Sequence, residues 1–339
     1  MPRLFFCLFL SLGMLLPTGL WAQDSLMQVV ASPGDGIYSL LRKHGADPVG
    51  QLQVFKELNA PKLDANGHLR AGDTYLVPLP APEVEAEAVT ESAAKSRRFE
   101  IFGEAYADVP ERSTRLEGAI FYLISGHGGP DPGAVTPYGE TSISEDEYAY
   151  DITLRLARNL ISHGALVYLI IRDGDDGIRD QRILPMDTDE QAYPDLEIPL
   201  GQRERLQQRV EVVNRLYAQH KGRYQRLVVT HVDSRSKGQN IDVFFYHHEK
   251  SSNGKRLAEN IHATFRDKYA RFQPNRTYAG TFRDRSNLYV VKHTHPATAF
   301  IEIGNIRNSR DQRRILDPDN RQALANWIGE GLMLDFESR

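Results

Sequence analysis

A histidine stands among small and turn-forming residues in the run Ser125-Gly126-His127-Gly128-Gly129-Pro130-Asp131-Pro132-Gly133-Ala134. Flanked by glycines, its side chain is exposed on a tight loop where backbone bulk would otherwise block a ligand. Glu145 follows just before a helical pattern, and a second histidine, His231, ends the apolar run Arg226–Thr230. Glu302 sits inside Phe300-Ile301-Glu302-Ile303-Gly304, and a carboxylate within an apolar strand is costly unless it is paired or metal-bound. Two histidines with one carboxylate make a three-ligand zinc set that leaves a fourth position open for water, the catalytic rather than the structural arrangement. A further glutamate that does not ligate can serve that water as general base. Glu147 competes with Glu145, since both occupy a helix start, where negative charge is favourable in its own right.

Such residues need a frame that gathers strand ends. Strand-like runs at Ala119–Ser125, Leu166–Ile171, Arg226–Thr230, Val243–Tyr246 and Ala299–Ile303 alternate with helix-like ones at Tyr148–His163, Leu206–Gln219, Ser251–Tyr269 and Arg321–Phe336. The alternation predicts an α/β domain over 99–339, its mostly parallel twisted sheet flanked by helices. Open sheets of this kind bind ligands at the carboxyl edge of their strands, where His127 and His231 fall. His247 and His248 are adjacent in a strand and point to opposite faces, so they do not serve one site together. His293 and His295 read as loop or surface groups, and Arg223, Arg226, Arg256 and Arg266 as solvated charges. Between strand and helix runs a long insertion, roughly Asp173 to Leu200. Its Asp187, Asp189, Glu190, Asp195 and Glu197 suit a mobile flap beside a cation better than a packed core element.

In their order along the chain these parts resemble a known family. "GHGGPDPGA", Glu145 ahead of "DITLRLARNLISHG", the strand Val167 to Arg172, the helix bearing Leu206, Arg209 and Asn214, then His231, and finally Pro296 through Glu302, Gly304 and Asn308, are similar to the zinc-dependent N-acetylmuramoyl-L-alanine amidases of the Amidase_3 type. The resemblance spans Ile120 to the end. It implies that His127, Glu145 and His231 bind zinc, that Glu302 is the catalytic glutamate, and that the substrate is the amide between N-acetylmuramic acid and L-alanine in peptidoglycan. Departures from the family pattern are His231-Val232-Asp233 in place of His-Ala-Asn, Gly304-Asn305 in place of Gly-Phe, and the insertion itself.

Upstream, Arg3, the apolar stretch Leu4 to Leu16 and the tail Pro17-Thr18-Gly19-Leu20-Trp21-Ala22 predict a signal peptide over 1–22. Residues 27–80 read as strand, two short helices and strand: Met27–Val30, the turn Ser32-Pro33-Gly34-Asp35-Gly36, Ile37/Leu40/Leu41 with Gly45 as cap, Leu52/Phe55/Leu58 to Asn59, and Thr74–Pro78. With its "PGD", "ELN" and "YLVP" this stretch resembles a LysM module, which implies binding to peptidoglycan glycan strands. From 81 to 98, Pro82, Glu83, Glu85, Glu87 and Glu91 alternate with small residues and predict an extended acidic linker.

Composition narrows the classes. The chain has 339 residues, 41 basic against 45 acidic, for a net charge of −4, which argues against nucleic acid as partner. The single cysteine, Cys7, lies in the signal segment, so beyond that segment the chain has no thiol for disulfide or cysteine–zinc chemistry. The expectation is an exported hydrolase, periplasmic or secreted and associated with the cell wall. It is not stably inserted in the membrane once the signal is cleaved, and it acts on glycan strands and their stem peptides. The sequence names no protein activator. A catalytically silent peptidoglycan-binding regulator and a zinc peptidase cutting within the stem peptide are the alternatives.

Overall fold

The structure is a computed structural model that describes residues 26–32, 35–44, 46, 51–64, 67–78, 96–233, 242–273 and 275–339. These fall into two compact units divided near residue 90. The signal segment, Pro33, Gly34, Gly45 and the linker up to residue 95 lie outside the described residues.

In the first unit, β1 (Leu26–Val30) is followed by α1 (Ile37–Lys43), α2 (Leu52–Asn59) and β2 (Thr74–Pro78), and the two strands pair antiparallel. Leu40, Leu41, Phe55, Tyr75 and Val77 are completely buried together. Asn59 joins helix to strand: its side chain donates to the carbonyls of Phe55 and Leu76, both at 2.8 Å, and accepts the Leu76 N–H at 2.7 Å. The strand–helix–helix–strand order read from the hydrophobic spacing is present.

The second unit opens with β3 (Ser96–Arg98) and β4 (Asp108–Pro110), an antiparallel pair. Here the linker reading to Arg98 is corrected. Three polar residues find a ladder, and Arg98 meets Glu100, Glu104 and Asp108, partners that local composition does not announce. There follow β5 (Ala119–Ser125), β6 (Val135–Tyr138), β7 (Thr141–Ser144), α3 (Glu145–Ser162), β8 (Leu166–Leu169), β9 (Ile171–Arg172), β10 (Gln191–Ala192), β11 (Leu196–Glu197), α4 (Gln202–Gln219) and β12 (Tyr224–Asp233). The chain continues through β13 (Phe244–His247), α5 (Ser252–Phe272), β14 (Thr281–Asp284), α6 (Tyr289–His293), β15 (Ala297–Asn305), α7 (Ser309–Ile315) and α8 (Pro318–Glu337).

Six strands make the central sheet in the order β14-β13-β15-β12-β5-β8. Neighbours are parallel except β13 against β15, so the sheet is mostly parallel, with one reversed junction. Strand alternation sorts the core onto two faces. Phe121, Leu123, Val228 and Ile301 pack with apolar residues of α3, α5 and α8. Ile120, Tyr122, Val229 and Phe300 pack with those of α4 and α6. No helix among the described residues is long and apolar enough to cross a membrane.

Two readings of charged residues change. Arg226 is buried, not solvated: its Nε donates to Asp335 at 2.6 Å, Arg256 reaches the same carboxylate at 2.8 Å, and the Tyr224 hydroxyl donates to it at 2.5 Å. The insertion, read as a mobile flap, is pinned along its length. Leu184, Glu190, Ala192 and Ile198 are buried, and β9, β10 and β11 form a small antiparallel sheet. Arg321 donates to the carbonyls of Arg179 and Gln181 at 2.8 and 2.9 Å. The acidic residues hide this packing because its apolar members are sparse and its anchors come from α3 and α8.

Candidate metal centre

The carboxyl edge of the parallel strands brings three side chains to one point. His127 follows the end of β5, His231 lies near the end of β12, and Glu145 opens α3. One ligand atom from each lies within 4.8 Å of the other two, a grouping able to hold a metal ion. Glu145 is the hub. Its Oε1 is 2.8 Å from His231 Nδ1, and its Oε2 is 3.3 Å from His127 Nε2.

Local sequence explains the convergence. Gly126 and Gly133 leave the space that the two imidazoles occupy: a Cβ on Gly126 would stand 2.4 Å from His231 Nδ1, and one on Gly133 2.6 Å from His127 Cδ2. His127 itself has φ 66°, a left-handed conformation that costs a residue with a Cβ roughly 1–2 kcal/mol and persists only where neighbours enforce it. Arg209 is one such neighbour, donating to the His127 carbonyl at 2.5 Å. Asp131 is another. Its Oδ2 lies 3.0 Å from His127 Nδ1 and accepts from Arg205 at 2.8 Å. With Nδ1 held by Asp131, Nε2, the nitrogen toward Glu145, is the one a metal ion would take by displacing its proton. The His231 ring stacks on Phe300 with centroids 4.6 Å apart, which fixes the plane of the second imidazole.

Electrostatics follow from this packing. Burial disfavours a charged His127, but the carboxylates of Asp131 and Glu145 outweigh it and push its pKa up to about 10. Burial likewise disfavours a charged Glu145, yet the two imidazoles hold its carboxyl well below the usual range. For His231 burial wins and the pKa falls. A carboxylate kept ionised between two imidazoles is a donor set of two nitrogens and one oxygen, which suits zinc.

Glu145 and Glu147 differ in position. Glu147 turns away and pairs with Arg179 at 2.8 Å, accepting also the Asp187 N–H at 3.1 Å. Glu302 is buried on β15, in register with His231 across the parallel β12–β15 ladder, so the two side chains leave the same face of the sheet. His247 donates to the His248 carbonyl at 3.0 Å, and the His293 ring lies tilted against Tyr289; neither belongs to this grouping. Sequence reading did not assign a role to Asp131, although a carboxylate four residues after a loop histidine is a usable signal. Glu190 reads only as one acid of the insertion, and nothing local points to its partner: its Oε2 accepts the Gly129 N–H at 2.6 Å.

Comparison with known proteins follows the same outline. A family model described as N-acetylmuramoyl-L-alanine amidase, Amidase_3, matches residues 122–333. The chain is 25% identical over 232 residues to a germination-specific N-acetylmuramoyl-L-alanine amidase of Bacillus subtilis (strain 168), covering 67% of this chain and 84% of the relative. Among solved structures it is similar to the CwlD amidase of Clostridioides difficile, determined in complex with the GerS lipoprotein, with TM-score 0.49 and 19% identity over 66% of this chain and 100% of that one. It is also similar to the amidase AmiC2 of Nostoc punctiforme, with TM-score 0.45 and 21% identity over 66% of this chain and 99% of the other. The chain belongs to the Amidase_3 family of N-acetylmuramoyl-L-alanine amidases, hydrolases that act on peptidoglycan at the amide joining muramic acid to the stem peptide.

Proposed function

We propose that the enzyme is a zinc amidase in which His127, Glu145 and His231 hold the metal and Glu302 moves the proton. The observation that carries this reading is the meeting of two imidazoles and one ionised carboxylate at a sheet edge, with a second buried glutamate in register beside His231. Zinc bound there supplies Lewis acidity, polarising a carbonyl and acidifying water toward neutral pH. The chain's residues do the rest. Asp131 and Arg205 keep the Nε2 of His127 turned inward. Phe300 stops the His231 ring from rotating. Glu302 takes the proton of the attacking water at its carboxylate and delivers it to the nitrogen of L-alanine as the carbon–nitrogen bond breaks.

Around this centre the rest of the chain extends the reading. The βααβ unit acts as a LysM-like module on glycan strands, the segment 1–22 directs export, and 81–95 tethers the two parts. A tethered module raises local concentration on a polymer without touching the chemistry. Zinc content and product analysis on purified muropeptides test the proposal together. One zinc per chain with free lactyl-muramic glycan and intact stem peptide is the expected result. Shortened peptides would instead mean a peptidase, and no turnover from a zinc-loaded protein a silent binder. Removing 27–80 should leave turnover of soluble muropeptides intact and weaken action on whole sacculi.

A further inference from the structure

Three consecutive residues of the His127 loop have positive φ: His127 at 66°, Gly128 at 96° and Gly129 at 65°. A stretch so far from ordinary backbone preference holds its shape only through its neighbours. Four hydrogen bonds fasten it. Gly126 N–H donates to the Thr230 carbonyl at 2.7 Å, Arg209 donates to the His127 carbonyl at 2.5 Å, and Gly128 N–H donates to the Asp131 carbonyl at 2.8 Å. These three come from the sheet edge, from α4 and from the loop itself. The fourth is different: Gly129 N–H donates to Glu190 Oε2 at 2.6 Å, across 61 residues of sequence.

Glu190 reaches the loop from the insertion and is only 6% exposed. The packing around the contact is close. A Cβ on Gly129 would stand 3.0 Å from the Ile198 Cβ, and one on Gly128 3.2 Å from Ile171 and 3.5 Å from Glu190 Oε1. Glu190 meets the Gly129 amide directly, so a change at position 190 is transmitted to the backbone two residues from the His127 imidazole. A buried N–H stripped of its acceptor drives the backbone to find another, and the loop's conformation is the part free to yield.

We propose that Glu190 is a positioning residue for the metal centre: by holding the Gly129 amide it fixes the turn that presents His127, which makes the insertion a structural member of the site. The inference rests on the proposed zinc centre. It assigns Glu190 an acceptor's role, so a neutral isostere should replace it. Burial pushes the Glu190 carboxyl up to about 8, which makes an amide a close mimic of its neutral form.

The test compares Glu190→Ala with Glu190→Gln in the full chain, reading zinc affinity by competition with a chromophoric chelator, the visible spectrum of the cobalt-substituted protein, and kcat and KM on a soluble muropeptide. Partners behind a metal ligand typically contribute about 10- to 100-fold in affinity or activity. Glu190→Ala should lose zinc affinity and kcat by that order with KM little changed and should shift the cobalt bands, while Glu190→Gln restores all three. Alanine and wild type alike in affinity and spectrum would overturn the proposal, as would glutamine failing as badly as alanine. Should Glu190→Ala not fold, Glu190→Asp, whose carboxylate falls one methylene short of Gly129, takes its place with the same expected loss. A wild-type chain that binds no zinc would instead sink the metal centre itself, so the two failures are distinct.

Discussion

Glu145 and Glu147 stand two residues apart at the start of α3, both buried, and face opposite regions of the molecule. On the side of the His127 loop, Glu145 meets two imidazoles and its carboxyl is held far below the usual range. On the side of the insertion, Glu147 meets Arg179, and burial still pushes its carboxyl up. The two residues share type, helix turn and burial, so none of these decides the outcome. What differs is the partner. A guanidinium is a permanent cation that satisfies a carboxylate by itself, which closes the insertion side as a structural ion pair. An imidazolium, unlike a guanidinium, can give up its proton to a metal ion and become a neutral donor, so a carboxylate set among imidazoles remains available to a cation.

The sharpest break of this comparison is Glu145→Gln. It should lose zinc stoichiometry and, with it, turnover, by more than the roughly 100- to 10,000-fold that general acid–base catalysis contributes. Metal analysis after dialysis reads it, and a variant that keeps its zinc would move the ligand elsewhere. Glu302→Gln comes next, retaining one zinc per chain while kcat falls by about 100- to 10,000-fold; stoichiometric loss of the metal would make Glu302 a ligand.

Glu147→Gln tests the other side. It should keep zinc and kcat while stability drops. Removing one partner of a buried pair costs at most roughly 3–5 kcal/mol, less here because Arg179 keeps Asp176 and burial already disfavours the Glu147 charge; urea unfolding measures it. Loss of metal here with retention in Glu145→Gln would invert the assignment.

The smallest effect concerns the base of the insertion. Burial pushes the Asp173 carboxyl up to about 7, although it accepts the N–H groups of Asp175 and Asp176 at 3.0 and 2.9 Å. The unfolded chain releases this proton near the ordinary aspartate value and the folded one only near 7, so this group's contribution to stability falls as pH rises between the two and is flat above. Asp173→Asn keeps the acceptor oxygen and removes that loss. Its melting temperature relative to wild type should therefore be higher at pH 8 than at pH 4, by a few degrees or less. The same difference at both pH values would show that the carboxyl does not titrate this way.

Much of the catalytic unit is legible because its signals are local. Uninterrupted apolar runs mark β5, β12 and β15, and a glycine-flanked histidine or an isolated glutamate stands out against them. Direction is not local: nothing in Phe244–His247 tells that this strand runs against β15. Leu166–Ile171 reads as one strand but divides into β8, paired with β5, and β9, paired with β10, because its second partner lies beyond a loop. Arg226 and Glu190 are invisible for the same reason, since each is explained by a residue far along the chain. Glu145 and Glu147 look alike in sequence because the difference between them belongs to what they face.

The reach of Arg321 has a consequence for how the chain is made. Its side chain, completely buried, donates to Asp151 at 2.6 Å and to backbone carbonyls at the base of the insertion, while Leu324, Ile328 and Leu332 of the same helix join the core beside α3 and α5. Synthesis runs from the N-terminus, so β5, α3 and β12 exist before the residue that ties α3 to the insertion. Contacts of such long sequence separation form late and slowly. The ribosome thus delivers His127, Glu145 and His231 before the helix whose Arg321 ties α3 to the base of the insertion.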